Sequence, residues 1–390
     1  MRADERLRAL QAILSASRDL WHPQPFCEES PAWCARWPEL AAQLQALSDD
    51  ECAHLNDDGV AARALLAAHL PEAAALDALL ALPFATARPQ SLLDPFWDWE
   101  IPGRKRAQIE AFAAMVVPCG RPLFDWCGGK GHLARLLALR WQVLATTLEI
   151  DATLCADGAG LARRAGAEHA FVVADALDPQ ALLPADAHVV ALHACGGLHR
   201  QLLRRAVAAG VVALDLAPCC YYHGVDEAYP ALSKSAALPL DRDDLRLAVT
   251  ETVTAAPRVA RQSARAMAWK LAFIALRQRL EGAAYRTFKP VPSAWMRGDF
   301  ESFCRQLAAR EGLALPELLD WPACEAEGWR RQHQVKRLSI VRHAFRRPLE
   351  IWLLADMAAF LEEAGYRVSL AEFCARRLTP RNVLLSARLT

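Results

Sequence analysis

The residues of this chain that could do chemistry begin with a glycine turn followed by an acid. Asp125-Trp-Cys-Gly-Gly-Lys-Gly131 comes after a short apolar run and before leucines at helical spacing. Strand, glycine turn and helix present backbone N–H groups to a nucleotide-like ligand, because glycines let the ligand approach the main chain. Glu149 ends the next apolar run, about 20 residues on, where a carboxylate suits a ribose diol. A tight turn without a ligand is the alternative interpretation.

The spacing of the glycines narrows the choice of ligand. It does not match Gly-x-Gly-x-x-Gly, which disfavours a nicotinamide dinucleotide. The pattern is Asp-x-Cys-x-Gly-x-Gly, with a cysteine where the first glycine usually lies. It resembles motif I of class I S-adenosylmethionine (SAM) methyltransferases. The resemblance implies SAM as the cofactor, and as its contacts it implies Asp125, Cys127, Gly128, Gly129, Gly131, Glu149, Asp175, Ala176 and His193.

Asp175 follows the third predicted strand, in Val172-Val-Ala-Asp-Ala176. In methyltransferases an acid at this place accepts a hydrogen bond from the adenine amino group, and the resemblance implies that role here. Asp is also a favoured helix N-cap, which is the alternative.

Two loops that follow the next strands carry cysteine and histidine. The segments are Leu192-His-Ala-Cys-Gly-Gly-Leu198 and Leu214-Asp-Leu-Ala-Pro-Cys-Cys-Tyr-Tyr-His-Gly224. Neighbouring strands would bring together the catalytic candidates His193, Cys195, Cys219, Cys220 and His223. The pair of loops resembles a group of methyltransferase-like proteins that includes eukaryotic tRNA 2′-O-methyltransferases of the Cys-Cys-His-His type. This resemblance covers residues of about 101–224 and extends to the final hairpin.

Three interpretations of the cysteine and histidine cluster are open. In the favoured one, the loops shape the pocket without a metal, since the cofactor supplies the reactive group and the protein supplies positioning. In the second, the side chains bind zinc, although the adjacency of Cys219 and Cys220 is awkward for one tetrahedral ion. In the third, Cys195 or Cys219 attacks a pyrimidine ring, as in 5-methylcytosine RNA enzymes.

The elements that position these residues follow from the alternation of the chain. Strands ending near Asp125, Glu149, Asp175, His193 and Asp215 recur about every 25 residues, which leaves room for crossover helices. The sequence therefore predicts a doubly wound parallel α/β sheet of the class I methyltransferase type with ligands at the strand ends. A helix and two β-rich runs, 366–373 and 382–389, predict a final antiparallel hairpin. The predicted domains are an acidic helical part (1–100), a core (101–224 and 346–390) and a helical insertion (225–345).

Charge is unevenly distributed along a chain whose formal net charge is zero. Residues 1–100 hold seven Arg and no Lys against 16 Asp and Glu, and the rest hold 38 basic against 29 acidic residues. Either the basic part meets an anionic partner, or the two parts attract each other. Residues 328–349 are basic and contain no acid. The candidates for contact with an RNA substrate are Lys105, Arg330, Arg331, Lys336 and Arg337.

The sequence thus predicts a SAM-dependent methyltransferase that acts on RNA, tRNA or rRNA. A protein or small-molecule substrate is one alternative, and a non-catalytic SAM-binding assembly protein is another. Twelve cysteines without regular spacing favour a reducing cytoplasm over a secreted disulfide framework. No apolar run is long enough to predict a membrane span. The oligomeric state stays open.

Overall fold

In a computed structural model, the chain is built around a seven-stranded sheet. The structure describes residues 1–87, 95–181, 183–250, 257–282 and 284–390. The strands are β1 (Leu123–Trp126), β2 (Ala145–Glu149), β3 (His169–Val173), β4 (His188–Cys195), β5 (Ala213–Cys219), β6 (Tyr366–Glu372) and β7 (Val383–Leu389).

Helices come before, between and after these strands along the described chain. They are α1 (Ala3–Ala16), α2 (Arg18–Trp21), α3 (Trp33–Arg36), α4 (Pro38–Gln45), α5 (Asp49–Asp57), α6 (Gly59–Ala67), α7 (Leu76–Leu80), α8 (Gly103–Met115), α9 (His132–Trp141), α10 (Ala152–Arg164), α11 (Gly197–Ala209), α12 (Arg242–Leu247), α13 (Pro257–Glu281), α14 (Phe300–Glu311), α15 (Trp321–Ala344) and α16 (Arg346–Glu363). Short 3₁₀ helices span Pro71–Ala75, Pro95–Asp98 and Ser293–Arg297.

The sheet has the strand order β3-β2-β1-β4-β5-β7-β6. Strands β1 to β5 pair in parallel, and β7 runs antiparallel to both β5 and β6. The predicted fold class is therefore confirmed, including the final hairpin. Because the strand order reverses between β1 and β4, the crevice at their carboxyl ends is the expected place for a ligand.

The chain divides into two compact units. The first unit contains residues Met1–Ser15, Ala75–Thr250 and Arg346–Thr390, with the whole sheet. The second unit contains Ala16–Ala74 and Glu251–Phe345.

These units differ from the predicted domains in two ways. Residues 225–250, assigned to the insertion from the sequence, belong to the first unit, where the Tyr229 hydroxyl donates to Asp356 at 2.9 Å. Helices α4, α5 and α6, assigned to the acidic part, pack on α15 in the second unit. The physical reason is that the buried surface of α15 is covered by these helices as well as by α13.

Each unit has its own apolar core. In the first unit, Phe112 on α8 and Leu137 on α9 pack with Leu123 of β1. In the second unit, Phe273 on α13 and Phe303 on α14 form the centre. The sequence of the insertion also predicts a long helix over 256–282, and the structure shows it as α13. Its first predicted residue, Ala256, lies outside the described residues. Within the described residues, no helix combines the length and the apolar character needed to cross a membrane.

Candidate active site at the carboxyl ends of the strands

The glycine turn between β1 and α9 is held in a left-handed backbone conformation. Cys127, Gly129 and Gly131 have φ angles of 57°, 60° and 63°. Glycine adopts this conformation without steric cost, so the cysteine in place of the usual first glycine is strained. A Cβ at Gly131 would lie 2.4 Å from His169 of β3, which explains why only glycine fits there.

Asp125 lies beneath this turn and not on its open side. Its side chain is 2% exposed, and a Cβ at Gly128 would lie 2.1 Å from its Oδ2. Among the described residues, that Oδ2 has no hydrogen-bond partner. Burial raises the pKa of Asp125 to about 7. The carboxyl therefore carries a proton in part of the population at neutral pH.

The carboxylate of Glu149 is oriented by three backbone N–H groups. Gly129 donates to Oε2 at 3.0 Å, and Ile150 and Asp151 donate to Oε1 at 2.9 and 3.1 Å. A carboxylate has about four acceptor positions, so it retains capacity for a hydroxyl donor. The link to Gly129 also ties the end of β2 to the glycine turn.

A pocket of about 600 Å³ opens beside Glu149. Of the predicted cofactor contacts, the pocket is lined by Cys127, Glu149, Asp175, Ala176 and His193. Asp125, Gly128, Gly129 and Gly131 form the turn but are not among the lining residues. Of the catalytic candidates, His193, Cys195 and His223 line the pocket, whereas Cys219 and Cys220 do not. Gly197, Leu198 and Gly224 line it as well; they belong to the two loop segments that the sequence indicated, but were not among the predicted site residues.

Asp175 makes the local hydrogen bond expected of a capping side chain, and its contact with adenine stays a prediction. Its Oδ1 accepts a hydrogen bond from the N–H of Leu177 at 2.8 Å, as a capping side chain does, although a turn and not a helix follows. The residue also lines the pocket. The local bond fixes the side chain and leaves the second oxygen for a ligand.

The loops after β4 and β5 meet as the sequence predicts. Cys195 and Cys219 are paired positions in the sheet, and their sulfur atoms are 3.2 Å apart. A β-bulge between Leu192 and Cys195 contains His193, whose φ is 68°. Bulges of this kind re-aim side chains next to functional sites.

The three cysteines of these loops have unequal proton affinities. The pKa of Cys220 is lowered because the thiols of Cys195 and Cys219 donate hydrogen bonds to its sulfur. The pKa of Cys219 is raised because its thiol acts as a donor to Cys195 and Cys220. Burial, with help from Glu149, raises the pKa of Cys127 to about 12. Cys127 is thus a neutral thiol at neutral pH.

The tautomer of His193 follows from the hydrogen bonds around it. Gln108 donates from Nε2 to the carbonyl of Leu378 at 3.1 Å, which turns its Oε1 toward His193 Nε2 at 3.0 Å. His193 Nε2 is then the donor, and Nδ1 is the acceptor of the ring. Burial lowers the pKa of His193, which favours this neutral form. Gln108 lies 85 residues away from His193 in the chain, and no sequence pattern predicts that the two side chains meet.

Lys105, a predicted substrate contact, lies near this site. Its positive charge opposes the rise in the pKa of Asp125 that burial causes, and it adds to the lowering of the pKa of His193. It is exposed on the first turns of α8, next to Gln108 in sequence and in space.

The other predicted substrate contacts lie on α15 in the second unit. Arg330 pairs with Glu29 at 3.1 Å and with Glu327 at 2.7 Å. Arg337 pairs with Asp49 at 2.9 Å and donates to the carbonyl of Leu47. The acidic and basic parts of the chain therefore do attract each other, as one of the two interpretations predicted.

Arg331 and Lys336 differ in accessibility. The Arg331 side chain is 8% exposed and lies 3.5 Å from Glu29. A guanidinium buried in this way reaches a phosphate only if the helices around it separate, so its contact is structural. Lys336 is exposed.

A family model described as "Methyltransferase domain" matches residues 104–227, the segment that carries the turn, the pocket and both loops. The match confirms a SAM-dependent methyltransferase. The predicted cofactor, SAM, is confirmed with it. No curated protein matches the chain.

Three solved structures are similar to this chain at a low level. One is precorrin-6y C5,15-methyltransferase from Geobacter metallireducens, with 15% identity, a TM-score of 0.25, and coverage of 34% of this chain and 66% of that one, just under two thirds. Another is the cyclopropane synthase MmaA2 from Mycobacterium tuberculosis, with 13% identity, a TM-score of 0.25, and coverage of 73% and 82%. The third is coclaurine N-methyltransferase bound to N-methylheliamine and SAH, with 12% identity, a TM-score of 0.28, and coverage of 99% and 93%. These scores are low, and the fold assignment rests on the strand order instead.

The residues of the pocket fit SAM. Glu149 offers carboxylate capacity at the end of β2, where a ribose diol is expected. Asp175 offers one oxygen to an adenine amino group. Among the described residues, the buried Oδ2 of Asp125 has no hydrogen-bond partner, so it leaves a polar atom available beneath the turn.

Proposed function

We propose that this methyltransferase acts on RNA, either tRNA or rRNA, and that a small cationic rim beside the pocket holds the phosphates. The rim consists of Arg104, Lys105 and Arg377. All three side chains are exposed, and among the described residues none of them forms an ion pair. Unpaired cations next to a reaction site favour a polyanionic substrate.

The fold joins the two segments of the rim through one carbonyl group. Arg104 Nε and Gln108 Nε2 each donate to the carbonyl of Leu378 at 3.1 Å. The start of α8 therefore lies against the loop between β6 and β7, which carries Arg377. Because Gln108 also contacts His193, the rim is one side chain away from the pocket.

Aromatic rings on the β5 loop suit an RNA base. The rings of Tyr222 and His223 lie 4.4 Å apart, and the Arg246 guanidinium lies 5.5 Å from the Tyr222 ring. His223 lines the pocket. Stacking on an aromatic side chain holds an unpaired base and tolerates different sequences.

The chemistry divides between cofactor and protein. Bound SAM supplies a methyl group on a sulfonium, which is an electrophile for an oxygen or nitrogen of the substrate. The chain positions that nucleophile, and His193 Nδ1 accepts a hydrogen bond from its donor group. Cys127, Leu198 and the neighbouring pocket walls exclude water from the site.

The test of this proposal compares two charge-removing variants. Lys105→Gln with Arg377→Gln removes two cations of the rim, and Arg330→Gln with Lys336→Gln removes two cations of α15. For the rim variant we expect weaker RNA binding and a salt dependence shallower by nearly one unit of slope per lost contact. Filter binding at several salt concentrations measures both effects, and calorimetry with SAM checks that the cofactor site is intact.

Each other outcome identifies another substrate or another surface. A larger loss in the α15 variant would assign RNA binding to Arg330 and Lys336 and refute the rim. Transfer of labelled methyl from SAM to protein or to small molecules, with RNA fractions unlabelled, would replace the RNA proposal. SAM binding without transfer to any cell fraction would favour a non-catalytic assembly protein.

A further inference from the structure

Cys195, Cys219 and Cys220 form a sulfur cluster, which the proposed function does not explain. Their Sγ atoms all lie within 4.8 Å of one another. Cys219 is buried, and Cys195 and Cys220 are half-buried. Three convergent thiols exceed what pocket shape requires, because a cysteine at any of these places could be alanine or serine without changing the backbone.

The adjacency of Cys219 and Cys220 made a shared metal awkward from the sequence, and the backbone removes that difficulty. Successive side chains of an extended strand point to opposite faces. Cys219 ends β5, but Cys220 has a φ of 45°, which turns the chain at that point. Its sulfur thereby joins those of Cys195 and Cys219. Strain at a non-glycine residue is retained where a function depends on it.

Contacts independent of any ligand hold the two loops together. A Cβ at Gly196 would lie 2.2 Å from the carbonyl oxygen of His223, so only glycine allows this approach. The buried Arg200 donates to the carbonyls of Tyr221, His223 and Gly224 at 3.2, 3.3 and 2.8 Å. The sulfur atoms are therefore pre-positioned, as the ligands of a built metal site are.

The dimensions and ligand type point to one metal. Thiolates select zinc, with Zn–S distances of about 2.3 Å, which places tetrahedral sulfur atoms about 3.8 Å apart. The observed separation of Cys195 and Cys219, 3.2 Å, needs only a small opening to reach this value.

We propose that Cys195, Cys219 and Cys220 bind one zinc ion, whose fourth position opens to the pocket. Cys195 lines that pocket together with His193 and His223. Zinc sites with three protein ligands keep the fourth position for water, a substrate atom or a further side chain. The inference concerns this chain's own sulfur atoms and does not depend on RNA being the substrate.

The test measures metal in the full chain, purified under reducing conditions without chelator. Elemental analysis should find about one zinc per chain, as expected for a single site. Cys195→Ser, Cys219→Ser and Cys220→Ser should each lose it. Cys119→Ser, which removes an exposed thiol of the same unit, is the matched control and should retain it.

A second measurement avoids the question of whether a variant folds. Replacement of the metal in the wild-type chain by cobalt should give the visible absorption of a tetrahedral site and thiolate charge-transfer bands. Calorimetry with SAM, done in parallel, separates loss of metal from loss of the cofactor site. The proposal fails if the reduced chain binds neither zinc nor cobalt stoichiometrically while it still binds SAM, or if the three serine variants keep their zinc.

Discussion

Two regions of this molecule treat their charged groups in opposite ways. On α15 the arginines find partners within the second unit: Arg330 and Arg331 lie on Glu29, and Arg337 lies on Asp49. At the carboxyl ends of the strands in the first unit, and within the part of the chain that the structure describes, Asp125 has an oxygen without a hydrogen-bond partner and the cations of the rim form no ion pair. Groups that are satisfied internally stabilise a fold, whereas groups left unsatisfied are available to a ligand.

The largest effect that sharpens this comparison concerns Asp125. Burial raises the pKa of Asp125 in the folded chain to about 7, from an ordinary value of 3.8. Because the folded state binds the proton more tightly, its contribution to stability is complete below pH 4 and is lost as the pH rises toward 7 and beyond. The loss is about 4 kcal/mol at 1.36 kcal/mol per pKa unit. We expect Asp125→Asn, a neutral isostere, to gain stability relative to wild type between pH 5 and 8 in chemical denaturation without SAM.

The control for this prediction lies in the second unit. The pKa of Asp49 is lowered, mainly by its hydrogen bond with Arg337. Its contribution to stability is therefore present at high pH and lost at low pH, opposite to that of Asp125. Asp49→Asn should therefore lose its small stabilising contribution only at pH values above the Asp49 pKa. A stability difference between wild type and Asp125→Asn that does not change with pH would contradict the buried, raised carboxyl.

The next effect concerns cofactor binding by Glu149. Glu149→Ala removes the acceptor for the ribose and the tie to Gly129, and a hydrogen bond to a charged group contributes about 1.5–3 kcal/mol. We expect SAM affinity in calorimetry to fall by roughly tenfold to a hundredfold. Glu168→Ala, an exposed acid between α10 and β3, is the control and should bind SAM normally. Equal affinity in both variants would remove Glu149 from the cofactor site.

The smallest expected effect is a difference in unfolding free energy between two arginine variants, one from each region. Arg337→Ala leaves the carbonyl of Leu47 without its two donors, for which we expect a loss of about 1–2 kcal/mol in unfolding free energy. The pair with Asp49 adds little because that carboxylate is 72% exposed. Arg377→Ala should change stability by less than about 0.5 kcal/mol, as surface substitutions usually do. The comparison would break if Arg377→Ala proved as destabilising as Arg337→Ala.

Much of the fold could be predicted because its signals are local. The apolar runs that end at Asp125 and Glu149 mark buried strands, and the runs after residue 365 mark a hairpin. The strand predicted to end near Asp215 instead continues to Cys219 as β5, so that predicted end was wrong. The glycine turn is recognisable from its own residues, so the sequence could predict that Cys127, Glu149 and Asp175 line one pocket. The division into units could not be predicted, because α15 packs against α4, α5 and α6, which lie far upstream in the chain.

The sequence by itself determined the alternation of strands and helices, the glycine turn, and the residue types that meet at the strand ends. Periodicity and turn chemistry act within a few residues, so they can be read without knowing the fold. Only the tertiary structure decided which charges are satisfied. Arg330 finds Glu29, His193 finds Gln108, and the sulfur atoms of Cys195 and Cys220 converge, across separations of 301, 85 and 25 residues. Such pairings depend on long-range packing. The chain contains many residues of the same chemical type, and only the folded structure decides which of them lie close enough to interact.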